Sequence, residues 1–83
     1  FIDVRNESEL PNIAALNGTR IPLSIIEKHA DKIDREQKVV LYCKSGRRSA
    51  EAIRVLTEKY RFDNLLNLKG GVDAWLQYQS LKP

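Results

Sequence analysis

The sequence predicts an α/β domain built on a small, mostly parallel sheet with helices on both faces. Two observations carry that expectation. Short runs rich in β-branched and other apolar residues, at positions 1–4, 38–42 and 64–68, alternate with stretches whose apolar residues recur at helical spacing. Turn residues punctuate the chain at Gly18, Ser45-Gly46 and Gly70-Gly71. The resulting order of strand, loop, edge strand, helix, strand, helix, strand, helix implies parallel pairing, with helices lying on the sheet.

Each element has its own signal. Phe1 to Val4 is apolar enough for a buried strand, and Asp3 and Arg5 place opposite charges at its C-terminal end. Ligands collect at that end of strands in open α/β sheets, so Asp3 and Arg5 are candidates for a site rim. A structural ion pair is the commoner explanation of such charges. Residues 6–17 contain Pro11 and three asparagines, and predict a short helical turn near Glu7 to Leu10 followed by irregular chain. Thr19 to Leu23 is expected to form an edge strand stopped by Pro22, which cannot donate to a ladder. Ser24 with Glu27 reads as a capping box for a helix of about three turns, with Ile26, His29 or Ala30, and Ile33 on its apolar side. His29, the only histidine, is read as a packed helix residue rather than a general base.

Lys38 to Tyr42 is the next strand. Ala52, Ile53, Leu56 and Tyr60 then recur at helical spacing, with Arg54 and Glu58 as a weak surface pair four apart and Ser49 as a candidate cap, or as a hydroxyl that helps the loop hold an anion. Residues 64–68 form another short strand. Lys69-Gly70-Gly71 turns the chain into a last helix from Val72 to Tyr78, with Trp75 available to the core. Two adjacent glycines can also let backbone approach a ligand, although a plain turn is the simpler reason for them.

At 83 residues the chain has room for one domain, 1–83. Hydrophobic residues at 42% and charged residues at 30% make a globular mixture rather than a disordered or fibrous one. The net charge of +3 comes from basic residues interleaved with acids, so nucleic acid is not an expected partner. No apolar run approaches the roughly 20 residues that cross a bilayer, and no signal peptide is evident. A membrane partner is not expected either. One cysteine cannot close an internal disulfide, which fits a reducing, cytoplasmic setting and leaves a thiol available. The chain opens inside a strand without a starting Met, and is expected to be a piece of a longer protein.

That cysteine, Cys43, stands where strand 38–42 becomes the loop Lys44-Ser45-Gly46-Arg47-Arg48-Ser49. A turn entering a helix N-terminus aims several backbone N–H groups at one point, and the helix dipole adds partial positive charge there. Lys44, Arg47 and Arg48 add cationic side chains. The expected result is a lowered thiol pKa and a nucleophilic sulfur held in an anion cradle. An inert cysteine packed at a strand end is the alternative.

Three stretches together resemble the rhodanese-like domains. Asp3, Val4, Arg5 and Glu9 look like that family's opening pattern, CKSGRRSAEA resembles its active-site loop and following helix, and Leu68, Gly70, Gly71, Ala74 and Trp75 resemble its closing Leu-x-Gly-Gly-x-x-Ala-Trp. Ile13 to Gly18 depart from the Gly-His-Ile-Pro-Gly-Ala stretch of many single-domain members, while Ile21-Pro22 is kept. The looser pattern is similar to the C-terminal rhodanese domains fused to ThiF/MoeB-type adenylyltransferases. The family's usual first strand and helix have no counterpart before Phe1.

The resemblance implies a sulfurtransferase in which Cys43 takes a sulfane sulfur as a persulfide and the loop from Lys44 to Ser49 holds the terminal sulfur. The implied donor is thiosulfate or a protein persulfide. The implied acceptor is a small ubiquitin-like sulfur-carrier protein serving molybdopterin, thiamine or thiolated tRNA synthesis, with a fused adenylyltransferase domain as a further partner. Neither metal nor organic cofactor is implied for this domain.

Two other readings are weighed. A phosphatase or arsenate reductase also cradles an anion in a Cys loop ending in Arg, but those enzymes place five residues between Cys and Arg, whereas Arg48 comes one earlier and Ser49 holds the sixth position. A non-catalytic binding or sensing module is the other, against which stands the retained Cys43.

Overall fold

The computed structural model describes residues 1–9 and 16–81. Four strands, β1 (Ile2–Asp3), β2 (Thr19–Arg20), β3 (Val39–Tyr42) and β4 (Leu65–Asn67), form one sheet in the order β2-β1-β3-β4. All three pairings are parallel, with Ile2 opposite both Thr19 and Leu41, and Leu41 opposite Asn67. Every strand therefore delivers its C-terminal end to the same edge of the domain. The expected edge strand is there but stops at Arg20.

Strand alternation sends Leu41 and Tyr42 to opposite faces. Leu41 joins the main core of Ile2, Val4, Ile26, Ala30, Ile33, Ala52, Leu56 and Phe62, while Tyr42 packs with Leu16 and Val72 against Leu68 and Trp75. The first cluster is closed by a 3₁₀ helix, Leu23–Lys32, and by helix α1, Arg47–Tyr60. The second lies under the start of helix α2, Gly71–Leu81. Ala52 and Leu56 are completely buried, and a fully buried leucine contributes about 1.5–3 kcal/mol in a chain with so small a core.

Two helix starts differ from the sequence reading. Ser24 caps nothing: Pro22, with φ of −55°, leads directly into the 3₁₀ helix, no side chain closes that end, and the Ile25 N–H donates to the Pro22 carbonyl at 3.0 Å. Proline already fixes the backbone angle a cap residue would otherwise have to hold. Helix α1 begins at Arg47 rather than Ser49, because Gly46 adopts φ of +101° and turns the chain into the helix two residues early. Ser49 thus lies inside the first turn. The departures at residues 13–15 and the end of the turn at Leu10 fall outside the described residues.

Candidate active site

Cys43 follows the last residue of β3 at the C-terminal edge of the sheet and is buried. The Gly46 N–H donates to its sulfur at 3.1 Å, the Ser49 N–H at 3.4 Å, and the Ser49 hydroxyl stands 3.5 Å away. Burial pushes the thiol pKa up. Against it, the Ser49 hydroxyl and the N–H groups of Ser49, Gly46 and Ser45 stabilise the thiolate, and together they bring the pKa below the ordinary 9.0.

The direction matches the sequence expectation, but the source differs. N–H and O–H dipoles act most strongly on the sulfur and Arg48 adds a smaller coulombic attraction, while two of the three cations are already paired with carboxylates. Arg48 is gripped by the Glu9 carboxylate, Nη1 to Oε1 and Nη2 to Oε2 at 2.9 Å. Lys44 faces Asp73 at 3.4 Å on an exposed surface, a geometry worth little energy. Arg47 is exposed and has no ionic or hydrogen-bond partner among the described residues. Ser45, Arg47 and Arg48 line an open depression of about 340 Å³ beside the loop.

The loop is held from below by α2. Gly71 takes φ of +61° and brings the helix start so close that the Val72 N–H donates to the Cys43 carbonyl at 2.8 Å and the Asp73 N–H to the Lys44 carbonyl at 2.9 Å. Gly71 serves close backbone approach, to the chain's own Cys43 loop, whereas a side chain on Gly70 would meet only Ala74 of α2. A planar trans peptide points its carbonyl and its N–H in opposite directions. Pinning the Lys44 carbonyl therefore aims the Ser45 N–H back toward the sulfur.

Asp3 and Arg5 are buried and joined to each other, with Arg5 Nη2 donating to Asp3 Oδ2 at 2.7 Å and Nε to Oδ1 at 3.0 Å. Arg20 donates to the same Asp3 oxygen at 2.8 Å and to the carbonyls of Asn6, Glu7 and Glu9. This ionic chain braces the turn that carries Glu9, and Glu9 in turn holds Arg48. His29 is elsewhere. Its Nδ1 lies 3.1 Å from the Ile25 carbonyl, and the ring lines a groove of about 460 Å³ that includes Phe1, Thr19 and Val39 at the starts of strands and no residue of the Cys43 loop.

Sequence reasoning missed Glu9 as a loop contact, and also Asn67. Glu9 lies 39 positions from Arg48, beyond any local periodicity. Asn67 ends β4, and the tendency of sites to gather at strand C-termini was the signal that could have found it.

The Glu9–Arg48 pair gives a first prediction. Arg48 hydrogen bonds, opposed by a weak push from burial, hold the Glu9 carboxyl at about 2 against an ordinary 4.5. A carboxyl lowered on folding stabilises the fold fully above its unfolded value, and that stabilisation is lost as pH falls through the folded one. Glu9→Gln is expected to cost at most about 1 kcal/mol at neutral pH, since both side chains are partly exposed. The Tm gap from the parent should close between about pH 4.5 and about pH 2. A gap that persists at the acid end would show that the charge is not its origin.

A four-stranded parallel α/β domain with a buried cysteine at the strand C-termini, its sulfur accepting backbone N–H hydrogen bonds, defines the class of molecule. The family model for the rhodanese-like domain matches residues 1–78, and the chain belongs to that family. It is 30% identical over 78 residues to a sulfurtransferase of Allochromatium vinosum, across 94% of this chain and 72% of the relative. It is 39% identical over 78 residues to the probable adenylyltransferase/sulfurtransferase MoeZ of Mycobacterium tuberculosis, across 90% of this chain but only 19% of that protein. The crystal structure of a rhodanese-related protein from Thermoplasma volcanium superposes with a TM-score of 0.80 at 30% identity, over 93% of this chain and 75% of the other. Among the described residues, no helix is long and apolar enough to cross a membrane.

Proposed function

We propose that this domain is a sulfurtransferase in which Cys43 carries sulfur as a persulfide. The observation that supports this most is the convergence of the Ser45, Gly46 and Ser49 N–H groups on one sulfur, beside a depression open to solvent. In the loading step the Cys43 thiolate attacks the outer sulfur of the donor. The Sγ–S bond forms, the donor's S–S bond breaks, and its electron pair leaves with the departing group, sulfite when thiosulfate is the donor. In the second step an acceptor nucleophile attacks the terminal sulfur and the electron pair returns to Sγ. Loading and unloading are separate covalent steps, so ping-pong kinetics are expected.

A persulfide is anionic near neutral pH, and donors aimed into the loop suit it as they suit the thiolate. Lys44, Ser45, Gly46, Arg47, Arg48 and Ser49 form the holding loop in this reading. Arg47 is its electrostatic attraction for an anionic donor or for an acidic protein tail. Asp3 and Arg5 act from beneath the rim, through Arg20 and the Glu9 turn, rather than on substrate. The MoeZ similarity supports an adenylyltransferase domain as partner; the acceptor in this reading is a small ubiquitin-like sulfur carrier serving molybdopterin, thiamine or thiolated tRNA synthesis.

Intact-mass spectrometry after incubation with thiosulfate, with a persulfide donor, or with neither tests the reading. A gain of about 32 Da on Cys43, removed by cyanide or by a thiol, is the expected result. No adduct from either donor would overturn it.

A further inference from the structure

Ser49 is completely buried, and its hydroxyl carries one hydrogen. Three acceptors stand within reach of it: Asn67 Oδ1 at 2.6 Å, the Gly46 carbonyl at 3.2 Å and Cys43 Sγ at 3.5 Å. One hydrogen serves one of them well. The amide of Asn67 is oriented by its other contact, because Nδ2 donates to the Gly46 carbonyl at 3.0 Å and a flipped amide would set oxygen against oxygen. Asn67 reaches this position because it ends β4, whose neighbour β3 runs parallel and delivers Cys43 two residues beyond Leu41, the Cα partner of Asn67.

We propose that Asn67 is a positioning residue that competes with the Cys43 sulfur for the Ser49 hydroxyl hydrogen, taking it when the sulfur is uncharged and yielding it when the sulfur is a thiolate. A charged acceptor draws a hydroxyl more strongly than a neutral amide oxygen does, so the free thiolate wins. On loading, the Sγ–S bond forms and the negative charge moves to the terminal sulfur. Sγ becomes a bridging, disulfide-like atom and a poor acceptor. The hydroxyl then turns about its Cβ–Oγ bond to Asn67 with no heavy atom moving, and a buried donor is never stranded. The competition stands on geometry alone, whereas its use in sulfur loading rests on the function proposed above.

The test reads the thiol rather than turnover. The rate of Cys43 alkylation by iodoacetamide is followed against pH in the full chain, in Asn67→Ala, in Ser49→Ala and in the double variant. Removing the nearest competitor leaves the hydroxyl to the sulfur and the Gly46 carbonyl at 3.2 Å, so the uncharged thiol loses its best alternative and the alkylation midpoint of Asn67→Ala is expected to fall by about half a pH unit or more. In the Ser49→Ala background the Asn67 substitution is expected to change nothing, which a double-mutant cycle reads directly. A midpoint that rises or stays in Asn67→Ala, or that shifts equally with Ser49 absent, would overturn the proposal and leave Asn67 acting only through the Gly46 carbonyl. Asn67→Val keeps a strand-forming side chain without an acceptor and repeats the measurement should the alanine variant unfold. Alkylation needs no sulfur donor, so failure of persulfide loading counts against the function alone, and failure of the alkylation cycle against the competition alone.

Discussion

Cys43→Ser is expected to abolish sulfur loading while the domain keeps its fold. The serine oxygen would sit where the Gly46 and Ser49 N–H groups already converge at 3.1 and 3.4 Å from sulfur, so a buried polar atom is exchanged for another with its donors in place. A Tm within about 4 °C of the parent follows, since a change of well under 1 kcal/mol is all the exchange implies. Activity behaves otherwise. A hydroxyl neither ionises near neutral pH nor forms a stable bond to sulfane sulfur, and loss of the only nucleophile should lower transfer on the order of 10³-fold or more. Retained turnover in this variant would remove Cys43 from the mechanism. The parent carries a pH signature as well. As pH falls through the thiol's pKa the thiolate is lost and loading declines, and because hydrogen bonds lower that pKa below 9.0, the decline sets in at a lower pH than for a free thiol. A loading profile centred at or above 9.0 would contradict the cradle.

The strands and helices were legible because their signals are local. Leu41 and Tyr42 alternate between faces, and Ala52 and Leu56 repeat at helical spacing along a buried stripe. Cys43 was legible for a related reason, since a strand, a short basic loop and a helix are contiguous in sequence. What escaped depends on parallel pairing between distant segments. Glu9 meets Arg48 only because β1 and β3 are neighbours that end on the same edge, and Asn67 meets Ser49 only because β4 lies beside β3. The cations count for less than their number in the loop suggests, although Arg48 keeps a coulombic attraction for the sulfur. Charge counted along the loop suggests three positive groups near the sulfur, yet Glu9 and Asp73 arrive from elsewhere in the chain to pair with two of them. Helix starts were misplaced where backbone angles replaced capping side chains, at Pro22 and Gly46.

Gly71→Ala is expected to cost more stability than Cys43→Ser and to slow sulfur loading without abolishing it. At φ of +61° an alanine is strained whatever the space around it, and here there is none. Its Cβ would collide with the Cys43 carbonyl oxygen and stand 2.6 Å from that of Lys44, backbone atoms that cannot turn aside. Strain of roughly 1 kcal/mol and a clash of about 1–3 kcal/mol add to a loss of some 2–4 kcal/mol, a Tm lower by at least about 8 °C. The activity loss has a separate origin. Relief of the clash must draw α2 away from the loop, freeing the Cys43 and Lys44 carbonyls that the Val72 and Asp73 N–H groups hold at 2.8 and 2.9 Å. The Lys44–Ser45 peptide plane is then no longer fixed, and the Ser45 N–H loses its aim at the sulfur. Part of the hydrogen bonding that offsets burial of the thiolate goes with it, so the thiol pKa should rise and loading should slow at neutral pH even where the variant is fully folded. Thermal melts and alkylation-versus-pH profiles on the same preparation separate the two effects. A folded Gly71→Ala domain with the parental alkylation profile would show that the loop holds its shape without α2, and that the paired glycines form a turn and nothing more.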